Sequence, residues 1–209
     1  MLRCHFLIDG YNLYHSMDDA GKHPLKWLNL HRLAEIITAP LPEHSVKVYW
    51  FSAYAEWREA PYKRHRSYVS ALKTMNVHIV LGNFKRKPRS CKNCKSEWLG
   101  HEEKETDVNI AIHLIKAAFE RSYDRMYIIT GDTDIAPAIR MAKEIYPEGM
   151  ITIAAPPGRD RNISALLRSV DNQQKLSFEM LKQAQLPDTI TLNDGKIITR
   201  PDKYKINTP

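Results

Sequence analysis

The sequence predicts an α/β fold built on a central parallel sheet, and three observations carry that expectation. Five short apolar runs, Cys4 to Ile8, Val46 to Phe51, Val77 to Leu81, Tyr127 to Ile129 and Met150 to Ala154, alternate with stretches of helical period. Residues 127–129 in particular form a continuously apolar run, as expected of a strand covered on both faces. Two runs end abruptly in acid and glycine: Ile8-Asp9-Gly10-Tyr11-Asn12, and Ile129-Thr130-Gly131-Asp132-Thr133-Asp134. Ligands of open α/β sheets bind at the carboxyl ends of strands, where the strand order reverses. These two ends therefore mark the candidate site.

Cys4 to Ile8 is the first strand. Trp27, Leu28, Leu30, Leu33, Ala34, Ile36 and Ile37 have helical spacing, and Pro40 with Pro42 ends that helix. Val46 to Phe51 is the second strand. Pro61 opens a helix through about Met75, whose basic cluster Lys63, Arg64, His65 and Arg66 precedes the apolar Tyr68, Val69 and Leu72. After the third strand, Gly82 to His101 lacks periodicity and is expected to be a long basic loop carrying Lys85, Arg86, Lys87, Arg89, Lys92 and Lys95. From Glu103 to about Phe119 an apolar stripe, Val108, Ala111, Ile112, Leu114, Ile115 and Ala118, predicts a helix. Glu102, Glu103, Glu105 and Asp107 crowd its beginning. The fourth strand leads into a helix over Ile135 to Ile145, where Pro137 falls in the first turn and can spare its N–H. Asp134 lies near that N-terminus, where the helix dipole favours a carboxylate. A capping role accounts for Asp134 and leaves Asp132 to be explained.

The fifth strand and Pro156-Pro157-Gly158 close the alternation, which sets a first domain at residues 1–157 and an extension at 158–209. In the extension, Asn162 to about Gln185 is expected to be helical with a break near Asp171, docking through Leu166, Leu167, Phe178 and Leu181. Thr189 to Leu192 and Lys196 to Thr199 flank Asn193-Asp194-Gly195, a hairpin turn signal. The last residues, rich in Pro, Asp and Lys, read as a loose tail.

The chain has 209 residues, 31 Lys and Arg against 24 Asp and Glu, and a net charge of +7. That excess points to an anionic partner, nucleic acid being the simplest. The residues include no apolar run of membrane-spanning length, and the N-terminus enters a strand without a leader, so a soluble, cytoplasmic protein with no membrane partner is expected. Cys4, Cys91 and Cys94 are too few and too unevenly placed for a disulfide framework. Oligomeric state is not set by these residues, and a dimer is compatible with them.

Right-handed crossovers with a strand order of 3-2-1-4-5 would set the first strand beside the fourth, bringing Asp9 next to Asp132 and Asp134. The helix after the third strand would begin on the same edge with Asp107. Two carboxylates ~5 Å apart repel by roughly 3 kcal/mol at an effective dielectric of ~20, so such a cluster needs protons or a cation. Oxygen donors without a matching His or Cys set favour Mg²⁺ or Mn²⁺ over Zn²⁺. An acidic metal site in a basic protein suits phosphodiester cleavage, the metal activating water while Lys and Arg hold the flanking backbone. The loop cations Lys85 to Lys95, with Arg64, are the expected phosphate contacts.

Three stretches in order, Ile8-Asp9-Gly10-Tyr11-Asn12, Glu103-Lys104-Glu105-Thr106-Asp107-Val108 and Thr130-Gly131-Asp132-Thr133-Asp134, make the chain resemble the NYN domains, relatives of the PIN-like nucleases. The resemblance covers roughly residues 1–157 and continues into the docking helix and its Leu186-Pro187 end. It implies a PIN-like three-layer sandwich and a metal-dependent endoribonuclease. Asp9, Asp107, Asp132 and Asp134 would bind the metal, and Asn12 would orient a phosphate or a metal-bound water. Glu103 would hold a second metal or cap the helix. Glu105 departs from the family pattern, which has a small residue such as glycine there.

Cys91 and Cys94 with His101 have partial zinc spacing, but a structural zinc needs four ligands. The fourth would have to come from Cys4, His5 or a second subunit; the bland alternative is a pair of thiols in a basic loop. Tyr11, Tyr14, Trp57, Tyr62 and Trp98 are candidates to stack on unpaired bases, although aromatic residues more often serve as core. His113, beside an apolar stripe, reads as a packed histidine. Two other functions compete: an RNA-binding module without turnover, and a Mg²⁺-dependent phosphatase of the haloacid-dehalogenase kind. The phosphatase would need a second Asp two residues after Asp9, where Tyr11 stands.

Overall fold

β1 (Leu2–Asp9) occupies the middle of the sheet, and all its residues from Cys4 onward are buried. In this computed structural model, which describes residues 1–159, 163–192 and 194–205, β2 (His44–Ala53) and β5 (Arg125–Ile129) lie parallel on either side of β1. β3 (Val77–Ser90) and β4 (Glu97–Lys104) continue the sheet beyond β2, and β6 (Met150–Ala155) and β7 (Asn172–Lys175) beyond β5. The order is β4-β3-β2-β1-β5-β6-β7. The five strands read from the sequence hold their expected order, with one strand added at each edge. Every neighbouring pair is parallel except β3 with β4.

Alternation along the strands sorts the core into two layers. Cys4, Phe6 and Ile8 face a layer that includes α1 (Gly10–Asp19), α2 (Leu30–Thr38), α3 (Glu59–Thr74) and α7 (Phe178–Gln183). Leu7, Met126 and Ile128 face α4 (Thr106–Phe119), α5 (Ala136–Ile145) and α6 (Ser164–Leu167) on the other side. The result is a three-layer sandwich. Ridge residues at helical spacing fill both layers, Leu30, Leu33, Ala34 and Ile37 from α2 and Ile110, Leu114 and Ala117 from α4.

A third, smaller cluster fixes the C-terminal segment. Trp27, fully buried, packs with Ala71, Leu186, Ile190 and Tyr204, and its indole Nε1 donates to the Pro187 carbonyl at 2.8 Å. The Leu-Pro end thus locks onto the Trp27 region. β8 (Thr189–Thr191) and β9 (Ile197–Thr199) form the expected hairpin, with Gly195 at φ +81°; Asn193 lies outside the described residues.

Three local expectations change. The segment from Gly82 to His101 is no loop: β3 runs on to Ser90 and returns as β4 in an antiparallel ribbon. Its strand signal was hidden because both faces are largely solvated, so no apolar alternation was required. α4 starts at Thr106, which leaves Glu102 and Glu103 on β4 and turns the chain at Glu105. Glu105 has φ +80°, the left-handed conformation that explains why a glycine suits this position. The helix expected over Asn162 to Gln185 is two short helices separated by β7; Asn162 itself lies outside the described residues. The residues after Asp171 are polar, and β7 is recruited by backbone pairing to β6. α1 was not foreseen either, because its polar sequence buries only Gly10, Leu13, Ser16 and Met17.

Candidate active site at the sheet reversal

Asp9 ends β1 and caps α1. Its carboxylate is buried, Oδ1 accepting the Asn12 N–H at 2.9 Å and Oδ2 accepting the Thr130 hydroxyl at 3.1 Å. The Thr130 hydroxyl oxygen in turn accepts the Asp132 N–H at 3.1 Å, and Asp132 Oδ1 accepts the Asp134 N–H at 2.9 Å. Asn12 completes the frame, its side-chain oxygen accepting the Gly131 N–H at 3.0 Å. Bonds between β1, α1 and the β5–α5 connection therefore set the spacing of the acids. The capping role falls to Asp132, while Asp134 is exposed and its carboxylate takes no part in the frame. This reverses the sequence expectation, because a three-residue 3-10 turn, Thr133–Ile135, precedes α5.

The Gly131 position admits no side chain without movement. A Cβ there would meet the Arg159 Cβ at 2.8 Å and the Asn12 side-chain oxygen at 3.3 Å. Arg159, which the sequence did not single out, closes that side of the site and pairs with Asp19. Thr130 was also missed as a functional residue, although it lies within the motif. Only the folded arrangement reveals that one buried hydroxyl serves both Asp9 and Asp132.

Acids from β1, β4, α4 and the β5–α5 connection bear on one another. Burial pushes the Asp9 carboxyl up to about 6, against its hydrogen bonds and with added repulsion from Asp107 and Glu103. Asp107, at the start of α4, is raised by desolvation first and then by Asp132 and Asp134. Glu103 is raised by desolvation, opposed by its contact with the Thr106 hydroxyl and reinforced by Asp107. Ionised together these groups repel, so the site favours protons or a bound cation. Among the described residues no three His, Cys, Asp or Glu side chains converge closely enough to hold a metal ion by themselves. Mg²⁺ keeps several waters and is commonly bound through one or two carboxylates plus substrate phosphate, a demand that these all-oxygen donors suit.

The ribbon divides the expected phosphate-binding cations between two faces. Lys85, Lys87 and Arg89 lie opposite Glu102, Gly100 and Trp98, and Lys87 is paired with Glu102 at 3.2 Å. Arg86 shares the other face with Phe84, His101 and Glu103, the face that runs toward the acids. Lys92 and Lys95 lie at the ribbon tip. Arg64 is on α3 beside a cavity behind α1.

Cys91 and Cys94 lie at the tip, where the Cys94 thiol is 3.0 Å from the Ser96 hydroxyl and is lowered to about 7, chiefly by that contact. His101 is five residues further along the chain from Ser96, roughly 16 Å at the rise of a strand. It stacks on Trp57 with ring centroids 3.6 Å apart. Cys4 and His5 are buried in β1. The structure does not gather these residues with the cysteine pair. Of the aromatic candidates, Tyr11, Tyr14, Trp57 and Tyr62 line the cavity behind α1, whereas Trp98 is 51% exposed on the ribbon. His113 is half-buried on α4, its ring 5.1 Å from Phe51, as a packed histidine.

Comparison with solved structures finds a protein of unknown function from Vibrio parahaemolyticus with TM-score 0.54 and 18% identity, covering 88% of this chain and 96% of that one. At that identity the likeness is one of fold. A curated relative, a 6-hydroxy-3-succinoylpyridine 3-monooxygenase of Pseudomonas putida, is 27% identical over 90% of this chain and 72% of its own length. The NYN domain family matches residues 3–177, from β1 through β7. With that match across most of its length, the chain belongs to the NYN domain family, whose members are PIN-like, nuclease-type domains.

Proposed function

We propose that the protein is a metal-dependent endoribonuclease acting at the acidic cleft. The observation that supports this reading is the mutual repulsion of acids from four elements, Asp107 and Glu103 raising Asp9 and Asp132 and Asp134 raising Asp107, in a chain of net charge +7. One or two carboxylates from among Asp9, Asp107, Asp132, Asp134 and Glu103, together with water and substrate phosphate, would hold Mg²⁺ or Mn²⁺, which when bound supplies an activated water and neutralises phosphate charge. Thr130 and Asn12 hold Asp9 and the Gly131-Asp132 backbone in register. Asp107 and Asp134, both exposed, stand where a phosphodiester can approach them. Arg86, on the ribbon face that runs toward the acids, binds the flanking backbone, and the outer-face and tip cations add a diffuse attraction for RNA.

The test is to incubate purified protein with labelled RNA and DNA in Mg²⁺, Mn²⁺ or EDTA. Internal cuts in RNA that require metal are expected. Tight RNA binding without cutting in either metal would instead identify a binding module without turnover.

A second reading has its own support. The curated relative carries the name of an enzyme acting on a hydroxylated pyridine, and a ring-lined cavity adjoins the cleft here. Turnover of a small hydroxypyridine, with RNA left intact, would favour it.

A further inference from the structure

A cavity of about 280 Å³ opens behind the start of α1, between α3, the carboxyl end of β2 and the 3-10 turn Asp202–Tyr204. We propose that it is a binding site for one planar nitrogen heterocycle and, resting on the nuclease reading, that the ring is an unpaired base of the RNA. Its volume lies near the lower end of small-molecule pockets, roughly 300–1,000 Å³. That suits one ring system better than an extended ligand.

The lining has the chemistry of ring recognition. Tyr11, Tyr14, Trp50, Trp57, Tyr62 and Tyr68 all contribute to its wall. Two of their hydroxyls are already committed to backbone, Tyr11 donating to the Ala53 carbonyl at 2.7 Å and Tyr68 to the Leu28 carbonyl at 2.8 Å. What these residues offer a ligand is ring surface, and base–aromatic stacking is worth about 1–3 kcal/mol per base. Lys26 is not free for an anion, because it is paired with Asp18 and sits 3.7 Å over the Tyr14 ring.

Arg64 and His65, two of the polar residues in the lining, can orient a ring. Arg64 lines the cavity, and among the described residues its Nε is buried without a hydrogen-bond partner. A buried donor left in this way costs roughly 1–3 kcal/mol, so an acceptor supplied by a ligand would be favoured. His65 is held neutral, its ring lowered to about 4 by burial; its Nε2 lies 3.4 Å from the Ser52 hydroxyl, so one ring nitrogen already has a partner and the other can meet a ligand. A nitrogen heterocycle with a ring nitrogen and a carbonyl matches that pair. A purely hydrocarbon ring would leave the Arg64 Nε without an acceptor.

The cavity is also coupled to the cleft through the chain. Gly10 and Tyr11, which line it, follow Asp9 directly. A Cβ at Gly10 would meet the Phe51 carbonyl and the Trp50 indole nitrogen at 2.6 Å, so the glycine is what lets α1 begin against this wall.

Trp50 and Trp57 provide the readout. Intrinsic fluorescence is followed in EDTA, so that binding is measured without cleavage, while the four nucleoside monophosphates, a short single-stranded RNA, the same RNA made fully abasic, and 6-hydroxynicotinate are titrated in turn. Saturable quenching by at least one mononucleotide and by intact RNA, with the abasic RNA bound at least tenfold more weakly, is expected. Arg64→Met should weaken mononucleotide binding about tenfold with little change in the melting temperature. Trp57→Leu, at a 41% exposed loop position, provides a second variant with the same expected loss should Arg64→Met fail to fold. Binding of 6-hydroxynicotinate alone, abolished by either variant, would keep the heterocycle site and overturn its assignment to RNA. No quenching by any ring compound, or binding that both folded variants retain in full, would overturn the site itself, whatever the cleavage assay finds.

Discussion

Thr130 shows how much of the site rests on one side chain. Its hydroxyl donates to Asp9 and accepts from the Asp132 backbone, so Thr130→Val removes both bonds while keeping the volume. Stability should fall by about 1–3 kcal/mol, the range for leaving buried polar groups unpaired. Thermal unfolding should show the loss, and cleavage should fall with it, whereas Thr130→Ser should recover most of both. A Thr130→Val protein with wild-type stability would mean that the two acids do not depend on this bridge. At this scale the acids themselves were readable, because charge at the ends of apolar runs needs no packing information to be seen. The division of labour among them was not: Asp132 caps and Asp134 stays free because of a 3-10 turn, which leaves no mark in the spacing.

The ribbon of β3 and β4 makes the corresponding point for an element. Lys85 to Lys95 was visible as a basic segment, but a strand solvated on both faces carries no hydrophobic period, and its two faces could not be assigned until its partner strand was known. The pairing of Arg86 with His101, and of Lys85 with Glu102, puts these cations on opposite faces of the ribbon. Arg86→Glu should weaken single-stranded RNA binding and lower the salt slope of log affinity by roughly 0.7, the loss of one phosphate contact. The double reversal Lys85→Glu with Lys87→Glu should change the slope less, since Lys87 already faces Glu102. Filter binding across a salt series distinguishes them. An unchanged slope in the Arg86 variant would remove the inner face from the RNA path. Glu105 was legible in a different sense: its departure from the family pattern marked the place where the chain takes a left-handed turn into α4.

For the whole molecule, the alternation of strands and helices was legible, the order of the five central strands was an assumption that the sheet bears out, and it is that order which brings β1 beside β5. The two edge strands depend on backbone pairing of polar segments, for which periodicity carries no signal. Among the described residues no helix is long and apolar enough to cross a membrane. Burial of His65 also ties stability to pH. Its folded value of about 4 lies below the unfolded value near 6.5, so its contribution is fully present above about pH 6.5 and is lost as pH falls toward 4. His65→Gln should therefore gain melting temperature relative to wild type across that window; parallel melting profiles from pH 7 to 4 would show that the ring is not held neutral. The central claim is that the carboxylates at the β1–β5 reversal are a catalytic centre and not a structural one. The most direct measurement is metal-dependent RNA cleavage by Asp107→Asn and Asp134→Asn proteins, made alongside their melting temperatures and RNA affinities. Each substitution keeps side-chain size but removes one negative charge, so metal affinity and water activation should fall while phosphate contacts survive. The account predicts loss of cleavage, RNA binding close to wild type and a melting temperature in EDTA that is unchanged or raised as repulsion is relieved; an Asp134→Asn protein that cleaves RNA in Mg²⁺ at nearly the wild-type rate would contradict it.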